Sequence, residues 1–335
     1  MKRPNSPTLK DIATKLNLSV TTISKVINNH ADISEETRQQ VLDTIKEIGY
    51  VPNFMAANLR RSNGRLVGLV LSDVSQPYFS EVIFGYESTL HQAGYQTLLF
   101  NSFEDPTREL SIIRQLATLN IAGVILDIAQ GSERSIESLQ DLGIPYVLSN
   151  RYQDEDEDYY VVADNELAGF LATKHLLERK PDRPVVCLNG PNNISPTTGR
   201  FEGYYKAMHE SLCKINEAYI YNNLFGLRDA YETGLCAAKE VGIPFSAFCS
   251  TDQIAFGFLR GIYESSLRVP QDVGVIGVDG IESASYMMPA LSTIELPKQQ
   301  MGQQSAQMLI SLIENKPVLN PRVKMTPVLK IRETT

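Results

Sequence analysis

Residues 8–29 read "TLKDIATKLNLSVTTISKVINN". Thr8 is a good N-cap, and Asp11 three residues on completes a capping pair. Ile12, Ala13 and Leu16 then fall on one helical face. Asn17 stands where the chain must turn, and asparagine tolerates the left-handed conformation a tight turn needs. Ser19 caps a second helix whose inner face is Ile23, Val26 and Ile27. Two short helices joined this tightly make a helix-turn-helix.

In such a unit the second helix lies in the major groove with its N-terminal residues against base edges. Its outward residues are Val20, Thr21, Thr22, Ser24 and Lys25. Val20 suits a thymine methyl, Thr21 a base edge, and Lys25 guanine O6 and N7. Ser19, Thr22 and Ser24 suit phosphates, which position without reading sequence. A two-helix corner with solvated hydroxyls is the structural alternative.

The charge supports the DNA reading. Residues 1–61 hold nine Lys/Arg and six Asp/Glu, a net of +3, within a chain of net −8, so the other 274 residues carry −11. A basic end on an acidic body points to the end as the part that meets a polyanion. Ser34 is expected to cap a third helix with Val41, Leu42, Ile45 and Ile48 as its core face, closed by Gly49. After Pro52, Asn53 caps a run to Arg61 of about two turns with no strong apolar face, marginal alone in water. It reads as a linker that is helical only when something holds it.

From residue 65 apolar strand runs alternate with helical segments. Candidate strands are "LVGLVLSDV", "YQTLLFNSF", "AGVILDIA", "PYVLSN", "VVADN", "PVVCLNG", "AFCSTD", "VGVIGVD" and "STIEL". Near-continuous Val/Ile/Leu strands between helices indicate α/β architecture with parallel sheets covered on both faces. Ligands of open parallel sheets bind beyond the C-terminal strand ends. Asp73, Asp127, Asn150, Arg151, Thr251 and Asp279 stand at such ends. Tyr78 and Phe79 follow the first, Arg200 follows "LNGPNNISPTTG", and Phe225 sits in "YNNLFG".

The remaining signals exclude other classes. Cys187, Cys213, Cys236 and Cys249 have no paired spacing and are expected to be buried reduced thiols. The four histidines form no metal spacing. No G-x-G-x-x-G follows a strand and no G-x-S-x-G elbow appears, so a dinucleotide enzyme or a serine hydrolase is not indicated, and neither an enzyme activity nor a cofactor is expected. "DEDED" at 154–158 reads as a solvated loop. No segment reaches the roughly 18 apolar residues of a membrane span, and the N-terminus lacks a signal-peptide core. A cytoplasmic protein is expected.

In order along the chain, "TLKDIATKLNLSVTTISKVINN", "ISEETRQQVLDTIKEIGYVPN", "NFMAANLR", "GLVLSDVSQPYFSEVIFGYE", "TDQIAFGFLRGIYESSLRVPQDVGVIGVDG" and "PALSTIELPKQQMGQQSAQML" closely resemble the LacI/GalR family of bacterial transcription regulators. The resemblance spans nearly the whole chain. It implies a helix-turn-helix headpiece at 1–52, a hinge helix and linker at 53–64, and an effector-binding and dimerisation core at 65–335. The core is then periplasmic-binding-protein-like, with two doubly wound α/β subdomains joined by three crossovers. The N-subdomain is placed at about 65–163 and 292–322, the C-subdomain at about 164–291 and 323–335.

By the same resemblance, Leu59, flanked by Ala56 and Arg60, wedges into the minor groove at the operator centre, where an apolar wedge unstacks a base step. Thr8, Asn28 and Asn53 complete the expected DNA contacts. The positions matching Arg200, Asp279 and Phe225 contact the effector. The expected partners are a near-palindromic operator, a small-molecule effector and a second copy of the chain, since no leucine heptad trails "KIRETT" to suggest a tetramer. The chemistry suits an inducing sugar, with arginine and carboxylate around hydroxyls and an aromatic ring over the sugar face. A purine corepressor stacked on Tyr78, Phe79 and Phe225 is the alternative. Val20 and Thr21 differ from the pairs of the best-known members, so no operator carries over.

Overall fold

The computed structural model describes residues 7–27, 30, 32–50, 64–153 and 158–335, which divide into two units meeting at Gly64 and Arg65. The expected contacts Asn28, Asn53, Ala56, Leu59 and Arg60 lie outside the described residues.

Among the described residues the first unit has the helices α1 (Leu9–Leu16), α2 (Val20–Ile27) and α3 (Glu35–Ile48). Their boundaries follow from local chemistry. Thr8 and Asp11 form a reciprocal capping box, with the Asp11 carboxylate accepting from Thr8 N at 2.7 Å. Asn17 ends α1 at φ 53, and Gly49 ends α3 at φ 65. Ser34 accepts from Thr37 N to start α3. Ile12, Ile23 and Val41 are fully buried between the helices, with Ala13 and Val26 beside them. Leu42 departs from the expected core face, because the helix turns it outward and buries Thr44 instead. Thr44 tolerates that position by donating its hydroxyl to Gln40 O at 2.9 Å.

The second unit holds two six-stranded sheets. The N-subdomain sheet runs β11 (Arg322–Met325), β5 (Tyr160–Ala163), β4 (Tyr146–Ser149), β3 (Gly123–Leu126), β1 (Leu66–Leu71) and β2 (Gln96–Asn101). The C-subdomain sheet runs β12 (Val328–Lys330), β10 (Ser292–Glu295), β9 (Val273–Asp279), β8 (Phe245–Cys249), β6 (Val185–Leu188) and β7 (Ile220–Tyr221). Every pairing is parallel except β10 with β12. Central strands such as β1 and β9 are buried along their whole length, as strands covered on both faces must be.

The crossovers fall elsewhere than expected. The sequence reading puts 292–322 in the N-subdomain, but β10 pairs with β9, so the chain crosses only after it. Helix α11 (Lys298–Ile313) then packs on α4 (Tyr78–Gln92) of the N-subdomain. β11 pairs with β5 in the N-sheet, not in the C-subdomain assigned to residues beyond 322, and β12 returns to the C-sheet. The other helices are α5 (Pro106–Thr118), α6 (Glu133–Asp141), α7 (Asn165–Arg179), α8 (Ser195–Glu210), α9 (Leu227–Glu240) and α10 (Asp252–Glu264). α7 and α8 cross at glycines, where a Cβ on Gly169 would stand 1.9 Å from Arg200 O, so this close approach sets where Arg200 lies.

Of the cysteines, Cys187 and Cys249 are buried thiols, whereas Cys213 is half-buried and Cys236 exposed, contrary to the expectation that all four are buried. Among the described residues no helix is long and apolar enough to cross a membrane, and no cluster of three metal-ligating side chains occurs.

Candidate functional site

On α2, Ser19 Oγ accepts from Thr22 N at 3.0 Å and pairs with Thr22 Oγ1 at 2.8 Å, so these two hydroxyls form the cap of the helix itself. Val20 is 43% exposed and Thr21 is exposed, leaving both side chains available to a groove. Ser24 is half-buried. Lys25 donates to Asp32 at 2.5 Å. That bond, first among the causes, holds the Asp32 carboxyl below its ordinary value. The ammonium has three N–H donors, so a base or phosphate can engage Lys25 beside Asp32 or in its place. Lys25→Ala is expected to lose roughly 1–3 kcal/mol of discrimination at one operator position. Quantitative binding to a set of single-base operator variants reads this. Equal weakening on all of them would make Lys25 a phosphate contact.

The second unit has a cavity of about 450 Å³ between its sheets. That is within the roughly 300–1,000 Å³ of ligand sites. Asp73, Tyr78, Phe79, Asn150, Arg151, Arg200, Phe225, Thr251 and Asp279 all line it, drawn from both subdomains. Strand ends place most of them, because β1, β4, β8 and β9 point their C-termini at one crevice.

Several of these side chains also have local duties. Asp73 accepts from Ser75 N at 3.0 Å and so fixes the loop after β1. Thr251 caps α10 through Ile254 N at 3.1 Å. Tyr78 and Phe79 meet edge to face at 5.2 Å and are almost wholly buried, giving a firm apolar wall. Phe225 is 73% exposed at the rim.

Asp127 is a correction. It is fully buried behind the wall and does not line the cavity. It accepts from Ser72 N, Ser72 Oγ and, at 3.0 Å, Asn150 Nδ2, and ion-pairs Arg151 at 3.5 Å. It thus positions Asn150 and Arg151. Asn150 itself stands at φ 69, a conformation that asparagine adopts more easily than most residues.

Arg151 is clamped by Glu104 at 2.5 and 2.9 Å and by Ile128 O at 3.1 Å. Glu104 and Phe103 are both in the left-handed region, at φ 56 and 55, so the loop after β2 holds this clamp under strain. Sequence periodicity gives no sign of it.

Arg200 is 3% exposed and engaged on three sides. It ion-pairs Asp279 at 3.1 Å and donates to Asn165 Oδ1 at 2.9 Å and Ser250 O at 2.6 Å. Asp279 has φ 120, which only glycine adopts readily. Lys298, 2% exposed at the start of α11, donates to Asp279 O at 2.8 Å and Gly280 O at 2.9 Å. It also pairs with Glu81 of α4 at 3.2 Å. One cation from the N-subdomain side thereby holds the strained end of β9 in the C-subdomain. Asp252, fully buried nearby, accepts from Ile281 N and Thr293 Oγ1. Burial, and then the charge of Asp279, raise the Asp252 carboxyl above its ordinary range, and burial raises that of Asp279, with Arg200 and Lys298 partly offsetting.

Glu109 on α5 is fully buried and accepts from Ala129 N at 2.7 Å. Burial pushes its carboxyl up from 4.5 to about 7, with the Ala129 N–H partly offsetting. The folded chain then keeps this proton over a range where the unfolded chain releases it. Stability from this group is full below the ordinary value and is lost as pH rises toward 7. Glu109→Gln is expected to remove that slope, on the order of 3 kcal/mol across the window. Urea denaturation at a series of pH values measures it, and an unchanged slope would assign the dependence elsewhere.

Comparison with known proteins agrees with this geometry. The family model "Bacterial regulatory proteins, lacI family" matches residues 8–53, and "Periplasmic binding protein-like domain" matches 173–335. The HTH-type transcriptional repressor PurR of Haemophilus influenzae (strain PittEE) is 30% identical over 333 residues, 98% of each chain. That of Escherichia coli O139:H28 (strain E24377A / ETEC) is 32% identical over 311 residues, 92% of this chain and 91% of the relative. The Lac repressor dimer bound to operator and the anti-inducer ONPF superposes with a TM-score of 0.89 at 22% identity, covering 98% of this chain and 99% of that one, which shows the shared fold. A complex of the transcriptional regulator CelR with cellobiose has a TM-score of 0.73 at 26% identity over 98% of this chain and all of that one. With a capped helix-turn-helix ahead of two parallel-sheet subdomains, and relatives that match it end to end, this chain belongs to the lacI family of bacterial regulatory proteins and is a DNA-binding transcriptional repressor.

Proposed function

We propose that the chain represses a sugar-utilisation operon and that a neutral sugar in the interdomain cavity changes its affinity for the operator. The observation that carries this reading is the convergence of hydrogen-bonding strand ends from both sheets on one cavity. There the Arg200–Asp279 pair, with Asn150 and Thr251, faces bound hydroxyls, and Phe225 stands at the rim to cover an apolar ring face. The cellobiose bound by CelR supports the sugar. The headpiece reads the operator through Val20, Thr21 and Lys25.

Two copies place two headpieces on a near-palindromic site. The exposed Phe84 of α4 and Leu99 of the edge strand β2, 59% and 49% exposed, support a face for a second copy. The ligand acts by preferring one angle between the subdomains. If that angle separates the hinges, the ligand induces; if it brings them together, the ligand is a corepressor. A coupling of ~1–3 kcal/mol changes operator affinity on the order of 5–150-fold.

The purine-corepressor reading has its own support in the PurR relatives and in the aromatic Tyr78, Phe79 and Phe225. Calorimetric titration of the full chain with a panel of sugars and with hypoxanthine separates the two. The sugar reading expects heat from a sugar, and weaker operator binding in its presence. Binding of hypoxanthine alone, with tighter operator binding, would replace it by the purine reading.

A further inference from the structure

A second cavity of about 480 Å³ adjoins the first and is lined from both subdomains, by the loop after β3, the segment after β4 and the first turn of α8. The two cavities share Gln130, Arg151 and Ile194 in their walls, so they lie side by side with these residues between them. The second cavity carries hydrogen-bonding side chains suited to hydroxyls. Gln153, Asn193 and Ser195 line it, with Thr198 beside them. Tyr152 adds an aromatic wall, held flat against Tyr160 at 4.8 Å and 25°.

The charge of the two cavities decides the ligand class. Among the described residues, Asp73, Glu104, Asp279, Glu133 and Glu202 line the two cavities, against Arg151 and Arg200 as the cations. Both guanidiniums are already neutralised by carboxylates, Arg151 by Glu104 and Arg200 by Asp279. A phosphate would enter an acidic crevice with no arginine fork left to receive it. Neutral hydroxyls, which both donate to carboxylates and accept from amides, have partners in both cavities.

Resting on the sugar reading above, we infer that the effector is an unphosphorylated saccharide of at least two units, the second lying in the adjoining cavity beyond Gln130 and Ile194. The ring in the first cavity meets the Arg200–Asp279 pair. The next ring meets Tyr152 and the first turn of α8. Recognition of the second unit then decides which saccharide the protein senses.

The test is calorimetric titration of the full chain and of Thr198→Trp with glucose, galactose, cellobiose, maltose, lactose, sucrose, glucose 6-phosphate and hypoxanthine. Thr198 lines the second cavity and not the first, so the indole fills only the outer part. At least one disaccharide is expected to bind about tenfold or more tighter than either monosaccharide. The variant is expected to lose that advantage and keep the monosaccharide affinity, which also shows that it is folded. Equal affinity for mono- and disaccharides, an advantage that survives in Thr198→Trp, or tighter binding of glucose 6-phosphate than glucose would each overturn the inference while leaving the sugar reading in place. Binding of hypoxanthine with no saccharide, or of no saccharide at all, would overturn both.

Discussion

Arg200→Ala is expected to lower the stability of the second unit by about 3–5 kcal/mol, the usual result of removing one partner of a buried ion pair. The change leaves the Asp279 carboxylate, almost wholly buried, without the guanidinium that faces it at 3.1 Å. Asn165 Oδ1 and Ser250 O lose a charged donor at the same time. Thermal or denaturant unfolding gives the stability. The response to ligand is expected to vanish with it, since the pair lines the cavity, whereas the headpiece, a separate unit, keeps its own helices and DNA affinity. A variant that still responds at unchanged ligand concentration would show that the cavity has been assigned to the wrong residues. Asp279→Asn combined with Arg200→Ala should be less costly than the sum of the single changes, because the stranded charge is gone.

The second large effect is expected from Lys298→Met. Methionine fills much the same space but removes the ammonium that Asp279 O and Gly280 O accept from and that Glu81 pairs with. Asp279 O keeps Leu296 N at 3.2 Å, so Gly280 O is the carbonyl that loses its partner, at a cost of about 1–3 kcal/mol. The functional consequence is more specific. Lys298 holds Asp279 at φ 120 from the start of a helix that packs in the other subdomain. Without it Asp279 is expected to relax toward ordinary backbone angles and move its carboxylate away from Arg200. Ligand affinity should then fall by more than the loss of stability explains, and Lys298→Arg should recover part of it. If Lys298→Met binds ligand like the parent chain and is merely less stable, the lysine only fastens the two subdomains.

The two predictions meet at residues that sequence reading treats unequally. Arg200 and Asp279 stand at recognisable positions, after a helix start and at the end of an apolar strand. Lys298, Glu104 and Asp252 carry no such mark, because each acts on a group far away in sequence, Lys298 on Asp279 and Glu104 on Arg151. Asp127 misleads for the same reason. It ends its strand as Asp73 does, but the neighbouring strands β1 and β4 supply Ser72 and Asn150 to cover it.

The headpiece is legible almost throughout, since its caps at Thr8, Asn17, Ser19, Ser34 and Gly49 are decided within three or four residues. Leu42 is the exception: it follows Val41 about 100° round the helix, and the buried stripe runs through Val41, Thr44, Ile45 and Ile48 without it. Nine of the core strands are visible as Val/Ile/Leu runs. The short β7 and the edge strand β11, whose residues are exposed or half-buried, have no apolar run to betray them. The sheet that β10 joins is fixed by its pairing with β9, which no local pattern records.

A repressor of this kind must find its own operator. In vitro selection of fragments from the source genome by the purified full chain, at a stated salt concentration because phosphate contacts make affinity salt-dependent, is the most direct measurement. Run with and without the saccharides and hypoxanthine named above, it is predicted to enrich a near-palindrome whose recovery falls when the effector sugar is added. Folded protein that enriches no sequence under any of these conditions would contradict the repressor reading.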